Sequence, residues 1–327
     1  MKHKRKNNLL KPIIKWVGGK TQIIENILEK FPKHINNYHE AFLGGSSVLI
    51  GLLCMVRQNK IRVDGKICAF DINDTLIYMF KNIQNNHEEL YIHIQKLIKN
   101  YNACSTINDK HDIMMLAFNK KKPMNVQEAM SCQESFYYWT RKCYNALSDA
   151  DKHSAYGSAL FLFLNKTCFR GLYRVSSSNC FNVSFGHYRN PEIINKKHLE
   201  ELHDLLQPVE FYVCHFRSSL QKNAFCNDDF VYIDPPYMPI PSAQTQSFVR
   251  YSKDGFNEKD HVDLFNMCHD LSKNNVKLMM SNSDVSAIHE NFKEANYNIT
   301  SISCKRQINS KNPDSKVNEV IITNFTE

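Results

Sequence analysis

A short segment in the last third of the chain places the strongest constraint on its fold. The apolar residues 229–233 have the composition of a buried strand, and Asp234-Pro235-Pro236-Tyr237 follows them directly. Proline fixes its own φ, donates no hydrogen bond and holds the preceding residue extended. The strand therefore ends in rigid acceptors, the Asp234 carboxylate and the Pro235 carbonyl, beside an aromatic ring. These acceptors suit a flat exocyclic amino group; the alternative is a proline turn with a solvent-facing aspartate.

Two glycine pairs each precede a helical pattern in the first sixty residues. Gly18-Gly19 comes before an apolar periodicity at residues 21–30, and Gly44-Gly45 ends a strand-like segment before a helix at 48–58. We expect Ser46 or Ser47 to cap that second helix. A strand, a glycine turn and a helix place a cofactor at the carboxyl end of a parallel strand. The glycines do not form G-x-G-x-x-G, which disfavours a nicotinamide dinucleotide.

A second strand is predicted at residues 66–70, and Asp71 follows it. An acidic side chain at the end of a second parallel strand can hold a ribose diol through two hydrogen bonds. The same residue could instead cap the helix predicted at 74–85, and the sequence leaves both interpretations open.

The middle of the chain, from about residue 76 to 205, has mainly helical patterns. Within it, two short runs on either side of Ser176-Ser177-Ser178-Asn179 predict a β-hairpin over residues 172–186. Basic, amide and aromatic side chains cluster there, which suits contact with a nucleic-acid groove, although an exposed hairpin can carry such charges for solubility. A Lys-Lys-Lys-Pro loop at 120–123 is a solvated turn or a phosphate contact.

Alternating strands and helices resume after residue 205. Strands are predicted at 210–214, 276–280, 298–304 and 319–324, a helix at 258–271, and a long polar loop at 238–257 that contains Tyr251 and Phe256. A loop of this length in a compact chain is commonly a binding loop or a lid. The whole pattern predicts an α/β, Rossmann-like parallel sheet interrupted by a mainly helical insert.

Composition narrows the class of protein further. The chain has 327 residues, 43% of them hydrophobic, which is enough for a large core, and a net charge of +8, which favours a polyanionic partner. Its 11 cysteines form no C-x-x-C pair and, with its 14 histidines, show no zinc-ligand spacing, so we expect reduced thiols and no metal. No apolar run approaches the length of a membrane span. The basic start, residues 1–10, is expected to be a flexible arm.

Taken together, these motifs resemble the Dam-type (D12 class, α-group) DNA adenine N6-methyltransferases. The resemblance covers nearly the whole chain and depends on the order of the motifs. The matching segments are residues 15–20, 42–45, 71–73, 181–183, 185–186, 234–237, 281–282 and 319–324, together with Tyr138, Arg141, Tyr144 and Asn145. It implies a seven-stranded class I methyltransferase sheet formed by residues 11–75 and 206–327, and a DNA-recognition domain at 76–205 carrying the hairpin.

The resemblance also implies a role for each matched residue. The methyl donor would be S-adenosyl-L-methionine, leaving S-adenosyl-L-homocysteine, without a metal. The catalytic residues would be Asp234, Pro235, Pro236 and Tyr237. The cofactor would contact Trp16, Lys20, Phe42, Gly44, Gly45, Asp71, His215, Phe216 and Asp234. The DNA would contact Lys15, Arg141, Asn145, Arg174, Asn182 and Tyr188. Two positions depart from the family: His215 replaces a common aspartate, and Ser184 a common proline.

We therefore expect a site-specific adenine N6-methyltransferase that acts on a flipped adenine in duplex DNA, with GATC as the candidate site. The alternatives are a non-catalytic DNA-binding relative and a methyltransferase for RNA or a protein amide, which more often has Asn in place of Asp234. The expected partner is double-stranded DNA, with no membrane; a separate cognate restriction endonuclease and a monomer or weak dimer stay open. The expected location is the cytoplasm, or a host cell or virion if the source is viral.

Overall fold

A computed structural model describes residues 9–104, 119–221, 225–239, 255–294, 296–305 and 316–326. Seven strands form one sheet in the order β5-β4-β2-β6-β7-β9-β8, all parallel except β9, which runs antiparallel to β7 and β8. Its strands are β2 Tyr38–Glu40, β4 Ile67–Asp71, β5 Val209–Val213, β6 Phe230–Ile233, β7 Lys277–Ser283, β8 Asn298–Lys305 and β9 Lys316–Thr323; β1 His34–Ile35 pairs separately with β3 Arg62–Val63. This confirms the predicted Rossmann-like seven-stranded sheet.

The central strand β6 explains why the sheet has helices on both faces. All four of its residues are fully buried, as expected for a parallel strand covered on both sides. Phe230 and Tyr232 belong to one apolar cluster, and Val231 and Ile233 belong to a second. Because successive side chains of a strand point to opposite faces, the sheet separates two cores.

The helices follow the order of a doubly wound fold. They are α1 Ile24–Glu29, α2 Ser47–Arg57, α3 Asp74–Asn85, α4 His87–Ala103, α5 Val126–Met130, α6 Gln133–Ala146, α7 Asp149–Lys152, α8 Ala155–Thr167, α9 Lys196–Leu206, α10 Phe216–Ser219, α11 Glu258–Lys273 and α12 Ser286–Asn291. Helices α3 to α9 all lie in the connection between β4 and β5. In the described ranges, no helix combines the length and apolar character needed to cross a membrane.

The order in which strands are added to the sheet reverses between β2 and β6, which run parallel to each other. From β2, the sheet continues through β4 and β5 on one side and through β6 and β7 on the other. Ligands of open α/β sheets bind outside the carboxyl ends of the strands at such a switch point. Residues that follow β2, β4 and β6 therefore converge at the place where the sequence predicts the site.

The expected hairpin is less regular than the sequence predicts. Two isolated antiparallel bridges, Val175 with Phe181 and Cys168 with Phe185, replace continuous strands. The turn closes through hydrogen bonds of Ser176 N–H to the Cys180 carbonyl and of Asn182 N–H to the Arg174 carbonyl. In the second run, both backbone groups of Phe181 and the Val183 carbonyl bond to side chains of α6, so they cannot contribute to a regular ladder.

The predicted serine cap of α2 is wrong. Ser46 occupies the cap position with a left-handed φ of 61°, and its side chain makes no capping hydrogen bond. The Ser47 hydroxyl instead accepts from Lys20 N–H at 3.0 Å. At α3 the capping side chain is Asn73, which accepts from Leu76 N–H, so the alternative interpretation of Asp71 as that cap is wrong as well.

Candidate active site

The carboxyl ends of three neighbouring strands bring three acidic side chains together. Glu40 ends β2, Asp71 ends β4 and Asp234 directly follows β6. Burial raises the pKa of Glu40, and the charges of Asp234 and Asp71 raise it further, as expected for carboxyl groups that share one site with little water.

Asp234 lies in an ion pair with Lys20. Lys20 Nζ is 2.8 Å from Asp234 Oδ2, and the same ammonium donates to the Gly18 carbonyl at 2.6 Å. The other carboxylate oxygen, Oδ1, is buried and has no hydrogen-bond partner among the residues that the structure describes. Burial raises the pKa of Asp234 to about 6, because desolvation outweighs the opposing charge of Lys20. The carboxylate therefore has one oxygen held by a cation and one available to a donor.

The segment that follows Asp234 is fixed from two directions. The Tyr237 ring lies under the Lys20 ammonium, 4.8 Å from its centroid, and its hydroxyl donates to Glu319 Oε2 at 2.9 Å. One residue on, Met238 N–H donates to Asn282 Oδ1 at 3.0 Å, and the Ser283 hydroxyl donates to the Met238 carbonyl at 2.7 Å. The end of β7 and the middle of β9 thus hold the Asp-Pro-Pro-Tyr turn.

Asp71 shapes the second glycine turn. Its Oδ2 accepts from Gly44 N–H and its Oδ1 from Asn73 N–H, each at 2.9 Å. Burial raises the pKa of Asp71, and these backbone donors oppose that rise. Gly44 has a φ of +50°, and a Cβ on Gly45 would lie 2.8 Å from the Cβ of Trp16, so this turn requires glycine.

Aromatic side chains line the next part of the site. Phe42 stacks on Phe216 at 5.6 Å, and Phe256 contacts Phe216 at 5.5 Å between centroids. Trp16 stacks on Tyr173 at 5.3 Å.

His215 caps the short helix α10, because its ring nitrogen accepts from Arg217 N–H at 3.2 Å. Burial and the neighbouring Arg217 charge lower the pKa of His215. Residues 240–254, including Tyr251 of the proposed lid, lie outside the described residues, as does the start of the basic arm.

Two residues at this edge were missed at the sequence level. Glu40 is buried, accepts a hydrogen bond from the Tyr38 hydroxyl at 2.6 Å, and has its pKa raised by desolvation to about 8. Ile72 follows Asp71 and is an apolar residue that is 49% exposed. The signal for Glu40 was an acidic residue at the end of an apolar strand, directly before the Ala-Phe-Leu-Gly-Gly turn.

The predicted DNA-contacting residues gather around the hairpin. Arg141 donates to the Val183 carbonyl at 2.9 Å, and the Asn145 amide bonds both the N–H and the carbonyl of Phe181. Arg174 Nε donates to Asn182 Oδ1 at 2.7 Å, so these two side chains bond each other across the hairpin. Nearby, the Lys15 ammonium lies over the Tyr188 ring, 4.3 Å from its centroid. Arg141 and Asn145 thus hold the hairpin on α6, whereas Arg174 and Lys15 are exposed.

The sheet order, the switch-point site and the Asp-Pro-Pro-Tyr turn define a Rossmann-like amino-group methyltransferase fold. A model of the family "D12 class N6 adenine-specific DNA methyltransferase" matches residues 16–308, and the chain belongs to this family. It is 33% identical to the type II methyltransferase M.MjaIII of Methanocaldococcus jannaschii over 324 residues, covering 97% of this chain and 99% of that protein.

Two further relatives come from bacteria. The type II methyltransferase M1.LlaDCHI of Lactococcus lactis subsp. cremoris is 28% identical over 98% of both chains. The DNA adenine methylase of Haemophilus influenzae is 26% identical, covering 94% of this chain and 90% of its own. Family membership therefore confirms the predicted enzyme class, an adenine-specific DNA methyltransferase.

Proposed function

We propose that this enzyme transfers a methyl group from S-adenosyl-L-methionine to N6 of an adenine flipped out of duplex DNA, at the site GATC. The observation that carries the proposal is the buried Oδ1 of Asp234, which lacks a partner among the described residues and lies at the switch point of the sheet. A buried acceptor of this kind is unfavourable unless a ligand satisfies it. An exocyclic amino group supplies the missing donor.

The residues at the site fit the cofactor. The Trp16 side chain packs directly against the Gly44-Gly45 turn, which leaves no room for an added Cβ and places an aromatic side chain beside the turn. We assign Lys20, Asp71, Phe42, His215, Phe216 and Asp234 to the same cofactor, with Glu40 as an additional acidic neighbour. When bound, S-adenosyl-L-methionine supplies an electrophilic sulfonium methyl group.

The protein's own part in the reaction is acceptance and positioning. The Asp234 carboxylate and the Pro235 carbonyl each accept a hydrogen bond from one N6–H group. These two bonds direct the nitrogen lone pair away from the ring plane. Positive charge that develops on N6 as the methyl group leaves the sulfonium is stabilised by these fixed acceptors, and one N6 proton is lost after the transfer to give neutral N6-methyladenine. Because Asp234 has a pKa of about 6, the carboxylate is ionised at neutral pH and can accept. Tyr237 stacks on the base, and Pro236 keeps the turn stiff.

The surface beside the hairpin supports duplex DNA as the substrate. A groove of about 540 Å³ runs along α6, and its lining includes four cationic and no acidic side chains. The four are Lys121, Lys122, Arg141 and Lys142. Since Arg141 also holds the hairpin, phosphates that enter this groove would lie next to the bases that the hairpin reads. We propose that the same DNA also contacts Lys15, Asn145, Arg174, Asn182 and Tyr188. Extrusion of the base requires roughly a few kcal/mol, which these contacts offset.

The relatives bear on the partners and the alternatives. Two are named type II methyltransferases, which supports a cognate restriction endonuclease that acts separately from this chain. The intact Lys20–Asp234 pair argues against a non-catalytic DNA-binding relative. The aspartate at 234, in place of Asn, favours DNA over both alternatives, and the cationic groove favours a nucleic acid over a protein amide. We propose that the enzyme acts as a monomer or a weak dimer.

One experiment tests the activity and the site together. The chain is expressed in a host that lacks DNA methylation, and the host DNA is sequenced with detection of modified bases. We expect N6-methyladenine at GATC, and the purified protein should transfer labelled methyl groups to duplex DNA containing that site. Modification of cytosine, of RNA alone, or of no base at all would refute the proposal, whereas adenine modification at another sequence would refute the site.

A further inference from the structure

The last strand of the sheet contributes a side chain to the site that the proposed mechanism does not use. Glu319 lies on β9, opposite Ser283 of β7, and its Oε2 accepts from the Tyr237 hydroxyl at 2.9 Å. Tyr237 and Glu319 are 82 positions apart in the chain. Glu319 is partly buried.

We propose that Glu319 is a positioning residue for methylation, whose carboxylate holds the Tyr237 hydroxyl and thereby fixes the ring that stacks on the target adenine. The inference rests on the proposed function of Tyr237.

The second attachment of this segment shows why the hydroxyl contact matters. Asn282 and Ser283 bond the backbone N–H and carbonyl of Met238, so the chain next to Tyr237 is already held in place. The bond to Glu319 restrains the opposite end of the same tyrosine. A ring restrained at both ends loses little further conformational freedom when a base stacks on it, which favours productive geometry.

Glu319 also acts on Asp234 through its charge. The groups that face Asp234 are Lys20 from the glycine turn, Glu319 from β9, Tyr232 and Tyr237 from its own segment, and Glu40 from β2. Desolvation raises the pKa of Asp234 most; the Lys20 charge and the Tyr237 hydroxyl lower it, and the Glu319 charge raises it further. Removing the charge of Glu319 should therefore leave Asp234 ionised at lower pH.

The test is a double-mutant cycle of Glu319→Ala and Tyr237→Phe, with Glu319→Gln and the exposed Glu290→Gln of α12 as comparison variants. Each variant is assayed for kcat and for KM of duplex DNA from about pH 5 to pH 9. We expect Glu319→Ala to lower kcat about tenfold, equivalent to about 1.4 kcal/mol, and to add little in the Tyr237→Phe background. Glu319→Gln keeps an acceptor oxygen, so kcat should stay close to that of the unchanged protein while its acidic limb moves to lower pH.

A purely structural role makes different predictions. It would lower the unfolding temperature of Glu319→Ala but would leave the pH profile and the coupling in kcat unaffected. Equal losses from Glu319→Ala with and without the Tyr237 hydroxyl, or an unchanged kcat in Glu319→Ala, would overturn the proposal. The same double-mutant cycle, measured on the free energy of unfolding, gives the strength of the Tyr237–Glu319 hydrogen bond independently of methylation activity. If the unchanged protein transfers no methyl group, the proposed function itself is overturned. If it is active but the effects of the two substitutions on kcat are additive, only the role of Glu319 is overturned.

Discussion

At the residue scale, the proposed chemistry depends on a carboxyl group whose two oxygens have different surroundings. Asp234 Oδ2 faces the Lys20 ammonium, and Oδ1 is buried with no partner in the described part of the chain. A carboxylate in this position costs free energy until a donor arrives, so the substrate's amino group is bound partly by relieving that cost. In the proposed mechanism, the same oxygen of Asp234 both binds the amino group and stabilises the charge that develops on it.

Substitution of Asp234 by Asn should separate these effects. The amide keeps an acceptor oxygen but removes the charge that stabilises cationic N6, so we expect kcat to fall about 100-fold or more. Affinity for DNA, measured by fluorescence anisotropy, should stay within about threefold, because phosphate contacts supply most of it. Asp204→Asn, an exposed change on α9, is the matched control. Turnover of Asp234→Asn at the level of this control would contradict the mechanism.

Glu40 gives a prediction that needs no substrate. Its pKa rises from 4.5 to about 8 on folding, so the folded chain retains a proton that the unfolded chain releases. Stability should therefore fall as pH rises from 4.5 to about 8, by at most about 1.4 kcal/mol per pH unit from this group. Glu40→Gln removes that dependence. Denaturant unfolding of both proteins across this window checks it, and parallel stability curves would show that Glu40 is not the cause.

At the scale of elements, the irregular hairpin is attached to α6 through side chains. Asn145 bonds both backbone groups of Phe181, and Arg141 and Tyr137 both donate to the Val183 carbonyl. This attachment replaces the missing strand ladder and fixes where Arg174 projects. The same arrangement explains why the local sequence pattern overpredicted the strands: it identified the turn but could not show that a helix takes the ladder's hydrogen bonds.

The exposed Arg174 should read a guanine. Arginine bonds guanine O6 and N7 with two parallel donors, which discriminates by roughly 1–3 kcal/mol. Arg174→Ala should therefore relax the preference at one guanine position, while Lys121→Ala should slow methylation of all sequences alike. Methylation rates on a panel of single-base variants of the site distinguish the two. A uniform decrease for Arg174→Ala would mean that Arg174 contacts phosphate and not a base.

At the scale of the whole molecule, sequence reasoning succeeded where the determinants are local. The strand before Asp234, the Gly44-Gly45 turn and the helix at Asp74–Asn85 each follow from neighbouring residues, and the structure has them at or near the predicted places. Sequence reasoning failed where the hydrogen-bond partner of a side chain is distant in the chain. The Ser47 hydroxyl is used by Lys20, and the Tyr237 hydroxyl is held by Glu319, contacts that no local pattern encodes.

The net charge of +8 raises the question of whether DNA affinity reflects the whole surface or the groove beside α6. If lysines 121, 122 and 142 each contact a phosphate, changing all three to Gln should reduce the slope of log affinity against log salt by about 2–3, since each contact contributes about 0.9. Changing Lys96, Lys99 and Lys259, three exposed lysines outside the groove, removes the same net charge. This control should leave the slope nearly unchanged, because distant charges are screened over about 10 Å at 0.1 M salt. Equal reductions in both triple variants would indicate that the general field, and not the groove, attracts the DNA.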